Sequence, residues 1–449
     1  MAITINDQPT NLVRAAYDDF TITASSTLSA NYYFKYVFDV YIDTVFKVRV
    51  KASPGNNNRG VVNLKSIIKD FIHTDIKGKT STYATTSNDH AIHQIDEYSE
   101  NEDNLVRVKI LVGEEYATAS DGVVNLYDGA GSAGSPSVAT SPGTYYTTNA
   151  VQQVGVHAST SSTVIEWDYS PYILDGTTKS FLSELDATVS RKLRATDYHT
   201  LAFFNGTWGS DTSALGTLEV KEYNDAGVQQ GSTWYIDNTA ANGGYPYTSS
   251  NLHDKGLLYI GVGAANFTNA GVTLQAGTTY YTVQAKTASA GTLKSKLYRF
   301  DIIDDDCKGY DTIRLAWLNR LGAWDYYCFT KKSTKSVNVR KKLYRKTVGN
   351  WADNPATGYT YSQYERGNST VGVSALDTFV GNTDFISEAE ASLLESLYTS
   401  PNVYMIDGDD IIPVVVTDTK YTKQSLANDQ LMQYTINIEK AHKLVIQQS

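Results

Sequence analysis

Residues 31–42 read NYYFKYVFDVYI, and they alternate: Phe34, Tyr36, Phe38, Val40 and Ile42 share one face, with Lys35, Asp39 and Tyr41 on the other. A second run keeps the period, with Phe46, Val48 and Val50 set against Lys47, Arg49 and Lys51. Successive side chains of an extended chain point to opposite sides, so a period of two marks a strand with one buried face. The two runs predict a β-hairpin over 31–51, ended by the loop Ser53-Pro54-Gly55-Asn56-Asn57-Asn58. Leu64, Ile67, Ile68, Phe71 and Ile72 then follow helical spacing. They predict a short amphipathic helix near 63–73, capped by Asn63 and packed across the apolar face of the hairpin.

Outward from the hairpin the pattern stays β. A strand over 105–112 leads into Gly113-Glu114-Glu115-Tyr116. Residues 117–163 are rich in Gly, Ser, Thr and Tyr and include GAGSAGSPS; Tyr127, Tyr145 and Tyr146 favour an ordered insertion or long loop over a solvated tether. Further strands are expected over 201–204, 217–223 (followed by the Asp225-Ala226-Gly227 turn), 257–262, 278–285 and 297–303, and turn signals at this spacing suggest a sandwich. Near the C-terminus, Ser387 and Glu390 form a capping box for a helix over 388–398. A strand over 403–406 turns at Asp407-Gly408 into one over 411–416, which Pro413 marks as an edge strand. Met432, Tyr434, Ile436 and Ile438 alternate with Gln433, Thr435, Asn437 and Glu439 in a last strand. The expected fold is therefore mainly β, a multidomain β-sandwich-like architecture with a few short helices. Its parts are an N-terminal domain over 1–116, the insertion over 117–163, a central domain over 164–306 and a C-terminal domain over 307–449. No short-period repeat suggests a solenoid or propeller.

Composition agrees. The chain has 449 residues, enough for two to four domains at about 100–200 residues each. Hydrophobic residues make up 41% and charged residues 19%, which excludes intrinsic disorder and argues against a long coiled coil. Dense Tyr and Thr favour strands. The formal net charge of −10 argues against a general nucleic-acid binder. Residues 1–30 lack a basic run followed by an apolar one, so no secretory signal peptide is expected, and no stretch reaches the roughly 18 apolar residues of a membrane helix. Two cysteines, Cys307 and Cys328, are too few for a disulfide framework or a cysteine-built zinc site.

Motifs for chemistry are sparse. His90 and His93 lie close together beside Asp89 and Asp96, but no HExxH-like helix surrounds them, so a solvated polar loop is expected rather than a metal site. Gly261-Val262-Gly263 follows a strand without the third glycine of a dinucleotide loop, and reads as a turn or bulge with no helix opening at Asn266 and Phe267. Glu166 with Asp168, and Asp304 with Asp305 and Asp306, supply paired carboxylates without a cleft to place them in. Asp407-Gly408-Asp409-Asp410 lacks EF-hand spacing, and Cys328 has no flanking nucleophile motif. No catalytic, cofactor-binding or metal-ligating residue is expected. One charge feature stands out in the acidic chain, the run Lys331, Lys332, Lys335, Arg340, Lys341, Lys342, Arg345 and Lys346. It reads as the solvated face of a strand that also carries Val337, Val339, Leu343 and Tyr344, as a patch meeting an acidic neighbouring subunit, or as a phosphate-binding arm.

Residues 310–326, YDTIRLAWLNRLGAWDY, carry a Y-x-x-x-R-L-x-W-L-N-x-x-G-x-W-D-Y pattern that resembles a block in structural proteins of tailed bacteriophages, of the marine and Bacteroidetes-phage type. Three further stretches resemble the same group in the same order: 58–64, 106–116, and the region from 411–416 to Ile438. None carries catalytic residues, so the resemblance implies a virion component. The expectation is a non-enzymatic tail adaptor, ring, baseplate or distal-tail protein. It would be assembled in the host cytoplasm, which needs neither leader nor disulfides, and would partner itself and other virion tail proteins, with no membrane and no sequence-specific nucleic acid. Lys331, Lys332, Arg340, Lys341, Lys342 and Arg345 are its candidate interface. Arg314, Trp317, Asn319, Gly322 and Trp324 are its structural anchors, with the two indoles close across a strand–turn–strand. The alternative is a receptor- or glycan-binding tail fibre that stacks sugars on Trp208, Trp234 and Trp351. A glycan depolymerase lacks any supporting motif.

Overall fold

The structure, a computed structural model, describes residues 3–74, 76–79, 90–101, 104–125, 140–151, 168–174, 176–205, 215–239, 242, 256–303, 310–351, 358–360, 362–364, 367–422 and 432–446. The fold is mainly β, with several multi-stranded sheets and three short α-helices among the described residues. The chain divides into two compact units, one of residues 1–303 with 318–326, the other of residues 304–317 with 327–449.

In the first unit the 31–51 hairpin forms from strands Tyr32–Ile42 and Val45–Ala52. They end a five-stranded sheet that continues through Leu105–Ala117 and Thr140–Thr148 to Val13–Ala15. Phe34, Tyr36, Phe38, Val40 and Ile42 are all buried, in a cluster with Leu64, Ile68 and Ile72 from the helical segment. That segment is helix α1, Lys65–Ile68, extended by a 3-10 turn over Lys69–Phe71. The N-cap falls at Leu64, without a side-chain cap bond, rather than at Asn63; the Asn63 carboxamide oxygen, one residue earlier, accepts from the Lys65 and Phe20 amides at 3.0 and 3.2 Å. A three-stranded sheet, Ile3–Asp7, Thr21–Ser26 and Arg59–Asn63, adds Ile3, Ile22 and Val62 to the same core.

A second core lies between two five-stranded sheets. One runs Arg191–Leu193, Tyr298–Ile302, Tyr280–Lys286, Thr217–Tyr223, Gln229–Asp237; the other runs Thr200–Phe204, Leu257–Gly261, Tyr98–Asn101, Lys77–Lys79, His90–Ala91. Phe203, Leu258, Ile260 and Tyr98 from one meet Leu218, Val220, Val283 and Phe300 from the other. These pairings cross the boundaries drawn from sequence at 116/117 and 163/164. Tyr98–Asn101 pairs with Leu257–Gly261, and Thr140–Thr148 joins the first sheet with Tyr145 and Tyr146 buried. Tyr127 lies outside the described residues. After Gly261 the chain does open a helix, contrary to expectation: α2, Ala264–Asn269. The Asn266 carboxamide explains it, because its oxygen accepts from the Gly263 and His199 amides and its nitrogen donates to the His93 and Ile95 carbonyls.

The second unit holds most of an eight-stranded sheet, in the order Trp324–Phe329 (from Tyr327 in this unit), Ile313–Leu318 (to Trp317), Val403–Asp407, Asp410–Val416, Thr435–Lys440, Asn368–Asn382, Thr334–Arg345, with Leu444–Ile446 also pairing Asn368–Asn382. Helix α3, Glu388–Thr399, carries the capping box: the Ser387 hydroxyl accepts from the Glu390 amide and the Glu390 carboxylate from the Ser387 amide. Asp410–Val416 is an internal strand, not the edge that Pro413 suggested. The Ala441 amide donates to the Pro413 carbonyl, so the side on which proline lacks its own N–H faces the chain just beyond the end of Thr435–Lys440, where no ladder partner is lost.

The tight turn of the first hairpin is strained. Asp43 and Thr44 sit at φ 47° and 76°, and a β-branched residue at positive φ is disfavoured. Replacing Thr44 by Gly gives the Asp-Gly pair that such turns favour, and is expected to stabilise the chain by about 1 kcal/mol, read as a rise in melting temperature.

Candidate assembly surface

The basic run forms strand Thr334–Arg345, the last strand of its sheet. It pairs antiparallel with Asn368–Asn382 along its whole length, from Thr334↔Val380 to Arg345↔Asn368, and its other edge carries no strand among the described residues. All twelve of its residues are exposed. Both faces are therefore in solvent, rather than the single solvated face the alternation suggested. Alternation puts Val337, Val339 and Leu343 on one face, with 52%, 50% and 65% of their surface exposed, flanked by Lys335, Lys341 and Arg345. Ser336, Asn338, Arg340, Lys342 and Tyr344 occupy the other. Lys335 pairs with Asp377 at 3.5 Å, and Lys331, just before the strand, with Asp384 at 2.8 Å. Lys332, Arg340, Lys341, Lys342 and Arg345 make no ion pair with any described residue. This strand combines long length, an open edge, positive charge and exposed apolar groups.

The anchors lie in the interior. Arg314 and Trp317 belong to Ile313–Leu318, every residue of which is buried. The Arg314 guanidinium lies 3.0 Å from the Cys328 sulfur, and the Trp317 indole N–H donates to the Ser396 hydroxyl at 2.8 Å. Cys307 lies outside the described residues.

Asn319, Gly322 and Trp324 belong to the first unit, in a turn that closes on itself. The Asn319 carboxamide oxygen accepts from the Leu321 and Ala323 amides at 3.0 Å, and its nitrogen donates to Asp325 at 2.8 Å. Buried Asp325 also accepts from the Ser183 hydroxyl at 2.6 Å and the Glu184 amide at 3.0 Å. Burial pushes the Asp325 carboxyl above the ordinary carboxylate range, and these donors oppose the shift. Arg320 clasps Glu184 through a bidentate pair, closest at 2.5 Å. Trp324 packs edge-on to the His93 imidazole at 5.0 Å between ring centres.

His93 corrects the sequence reading. It is fully buried rather than in a solvated loop, with Nδ1 2.5 Å from the Tyr326 hydroxyl, which also lies 2.6 Å from the Thr200 hydroxyl. No local pattern signals this His–Tyr–Thr cluster, whose members lie more than a hundred residues apart. The one available signal was Tyr326 at the end of the aromatic block. Among the described residues no group of His, Cys, Asp or Glu is arranged to hold a metal ion. Side chains of His90 and Trp351, together with residues Asp89, Glu166, Trp208 and 304–306, lie outside the described part. Of the tryptophans proposed to stack sugars, Trp234 packs edge-on against Phe267 at 4.7 Å and donates to Glu222, so its ring is partly taken up by the core.

Compared with known proteins, the chain matches no protein-family model and no curated protein.

Two consequences follow for the first unit. Gly322 has φ 85°, and a Cβ there would lie 2.9 Å from the Asn149 carbonyl oxygen and the Thr148 hydroxyl. Gly322→Ala is expected to cost about 2 kcal/mol or more, measured by denaturant unfolding. Burial, with Asp96 and Asp237 nearby, pushes the Glu97 carboxyl from 4.5 up to about 7. The folded chain then holds a proton that the unfolded chain releases, so stability is lost as pH rises through that window. Glu97→Gln should melt close to the wild type near about pH 5 and above it near about pH 8.

Proposed function

We propose that this chain is a non-enzymatic structural component of a tailed-phage virion, a tail adaptor, ring, baseplate or distal-tail protein that self-associates and bridges other virion proteins. The observation that carries this reading is the strand Thr334–Arg345, exposed over all twelve residues at the open edge of its sheet. Unsatisfied backbone groups along such an edge are a template for strand addition, and soluble monomers normally shorten, bend or cover it. Exposed Val337, Val339 and Leu343 add apolar area of the sort that interfaces bury. The polar groups of the aromatic block are used inside the fold, which suits a scaffold role for those residues. The resemblance of residues 310–326 to phage structural proteins supplies the virion context, with assembly in the host cytoplasm and a final place in the tail.

Antibody–gold labelling of intact particles, imaged by electron microscopy, tests this. Label on the tail or its junction with the head is the expected result. Label on projecting fibres would move the protein to receptor binding, and particles without label would overturn the virion reading.

A further inference from the structure

The geometry points to head-to-tail self-association, in which the basic strand Thr334–Arg345 of one copy docks on the acidic Asp407–Asp410 turn of the next. It rests on the self-associating role proposed above and names the two surfaces that would meet.

Among the described residues the basic strand is the open edge of its sheet, and Lys332, Arg340, Lys341, Lys342 and Arg345 have no charge partner. Two copies cannot satisfy this edge by pairing it with itself about a twofold axis. Antiparallel self-pairing would set one cationic strand directly against another, and like charges across a strand pair are destabilising. The edge therefore needs a different, acidic surface; strand meeting turn can repeat head to tail or close reciprocally about a twofold axis, and a species that stops at a dimer marks the second arrangement.

The same unit supplies one. Asp407, Gly408, Asp409 and Asp410 form the exposed turn between Val403–Asp407 and Asp410–Val416. Register places this turn at the same end of the sheet as Lys341: Val414 pairs with Lys440, Glu439 with Thr378, Asp377 with Val337 and Val373 with Lys341. Three strand spacings separate Asp410–Val416 from the basic strand, about 14 Å at the usual inter-strand distance. That exceeds the screening length of about 8–10 Å at physiological salt, so the turn does not neutralise the strand of its own copy. Between copies the two surfaces are complementary, and exposed Val337, Val339 and Leu343 provide apolar area beside the charges. A second copy is favoured over a nucleic-acid occupant because the chain as a whole carries a net charge of −10.

Mass photometry and sedimentation of the full chain test the inference. The wild type is expected to form species larger than a dimer at low salt and to dissociate near about 1 M salt. Two sets of neutral variants separate the surfaces, Arg340→Gln/Lys341→Gln/Lys342→Gln on the strand and Asp407→Asn/Asp410→Asn on the turn. Each set alone should weaken association by more than about tenfold. Mixed together they should stop at a heterodimer, since only one intact strand and one intact turn remain to meet. Unchanged melting temperatures show that both sets fold; if the turn set does not, Asp409→Asn alone, mixed with the strand set, is read in its place. A wild type that stays monomeric, a species that stops at a dimer, or variants that assemble like the wild type would each overturn the inference. So would a monomer that instead forms a salt-sensitive complex with a duplex oligonucleotide. Particle labelling reports separately: tail label with unaffected variants sinks this contact alone, whereas charge-dependent assembly without label sinks only the virion reading.

Discussion

A chain made mostly of strands must dispose of its sheet edges, and this constraint orders the whole molecule. Every outer strand presents N–H and C=O groups that must find water, a partner or protection. Several edges here are short: Val13–Ala15 and Arg191–Leu193 have three residues each, and His90–Ala91 has two. Val45–Ala52 is guarded by charge, with Arg49 held to Asp39 and Lys51 to Glu115. Gln229–Asp237 is polar and meets its neighbour through a register shift, which twists an edge away from regular pairing. Trp324–Phe329 ends the eight-stranded sheet with every residue buried. Thr334–Arg345 is long and exposed throughout; among the described residues it has only charge and one register shift, between Lys342 and Leu343, to protect it.

Charge alone is an ambiguous protection. Lysine and arginine on an edge discourage indiscriminate pairing, but they also select an anionic partner. The apolar side chains decide between these roles. A guarded edge gains nothing from Val337, Val339 and Leu343 in water, whereas a docking edge buries them. At its far end the strand pairs, among the described residues, only with Asn368–Asn382, since Leu444–Ile446 reaches Val373 to Ala375. Two strands without a third are marginal in water, which adds a reason for the pair to be covered.

Much of the fold was legible where one face of an element is buried and the other is wet. The period of two in 31–51 and in 432–439, the helical spacing after Asn63 and the Ser387–Glu390 box all report a local contrast between core and solvent. What sequence reading missed lacks that contrast. Asn368–Asn382, rich in Ser, Thr and Gly, is half-exposed along most of its length, so its contrast between core and solvent is weak. Tyr98–Asn101 reads as an isolated scrap because its partner lies at Leu257–Gly261, and no local pattern reveals a pairing at such separation. Helix α2 depends on one carboxamide, Asn266, whose partners His93, Ile95 and His199 are remote in sequence. At the candidate site the charge of 331–346 was legible at once. Its exposure on both faces was not, because sequence alternation cannot distinguish a half-buried strand from one that leaves the sheet as an open edge.

The aromatic block shows how a dense, specific-looking motif can be given over to packing. Residues 319–326 hold an amide, a guanidinium, a carboxylate and a phenol, a set that suggests a site. Each is engaged by its own fold. Asn319 is divided between its turn and Asp325, Asp325 between Ser183, Glu184 and Asn319, Arg320 is clasped to Glu184, and the Tyr326 hydroxyl lies between His93 and Thr200. A buried polar network of this sort is stable only when its members satisfy one another, which constrains residue identity as tightly as catalysis does. The specificity of the motif is therefore, in this structure, a specificity of packing.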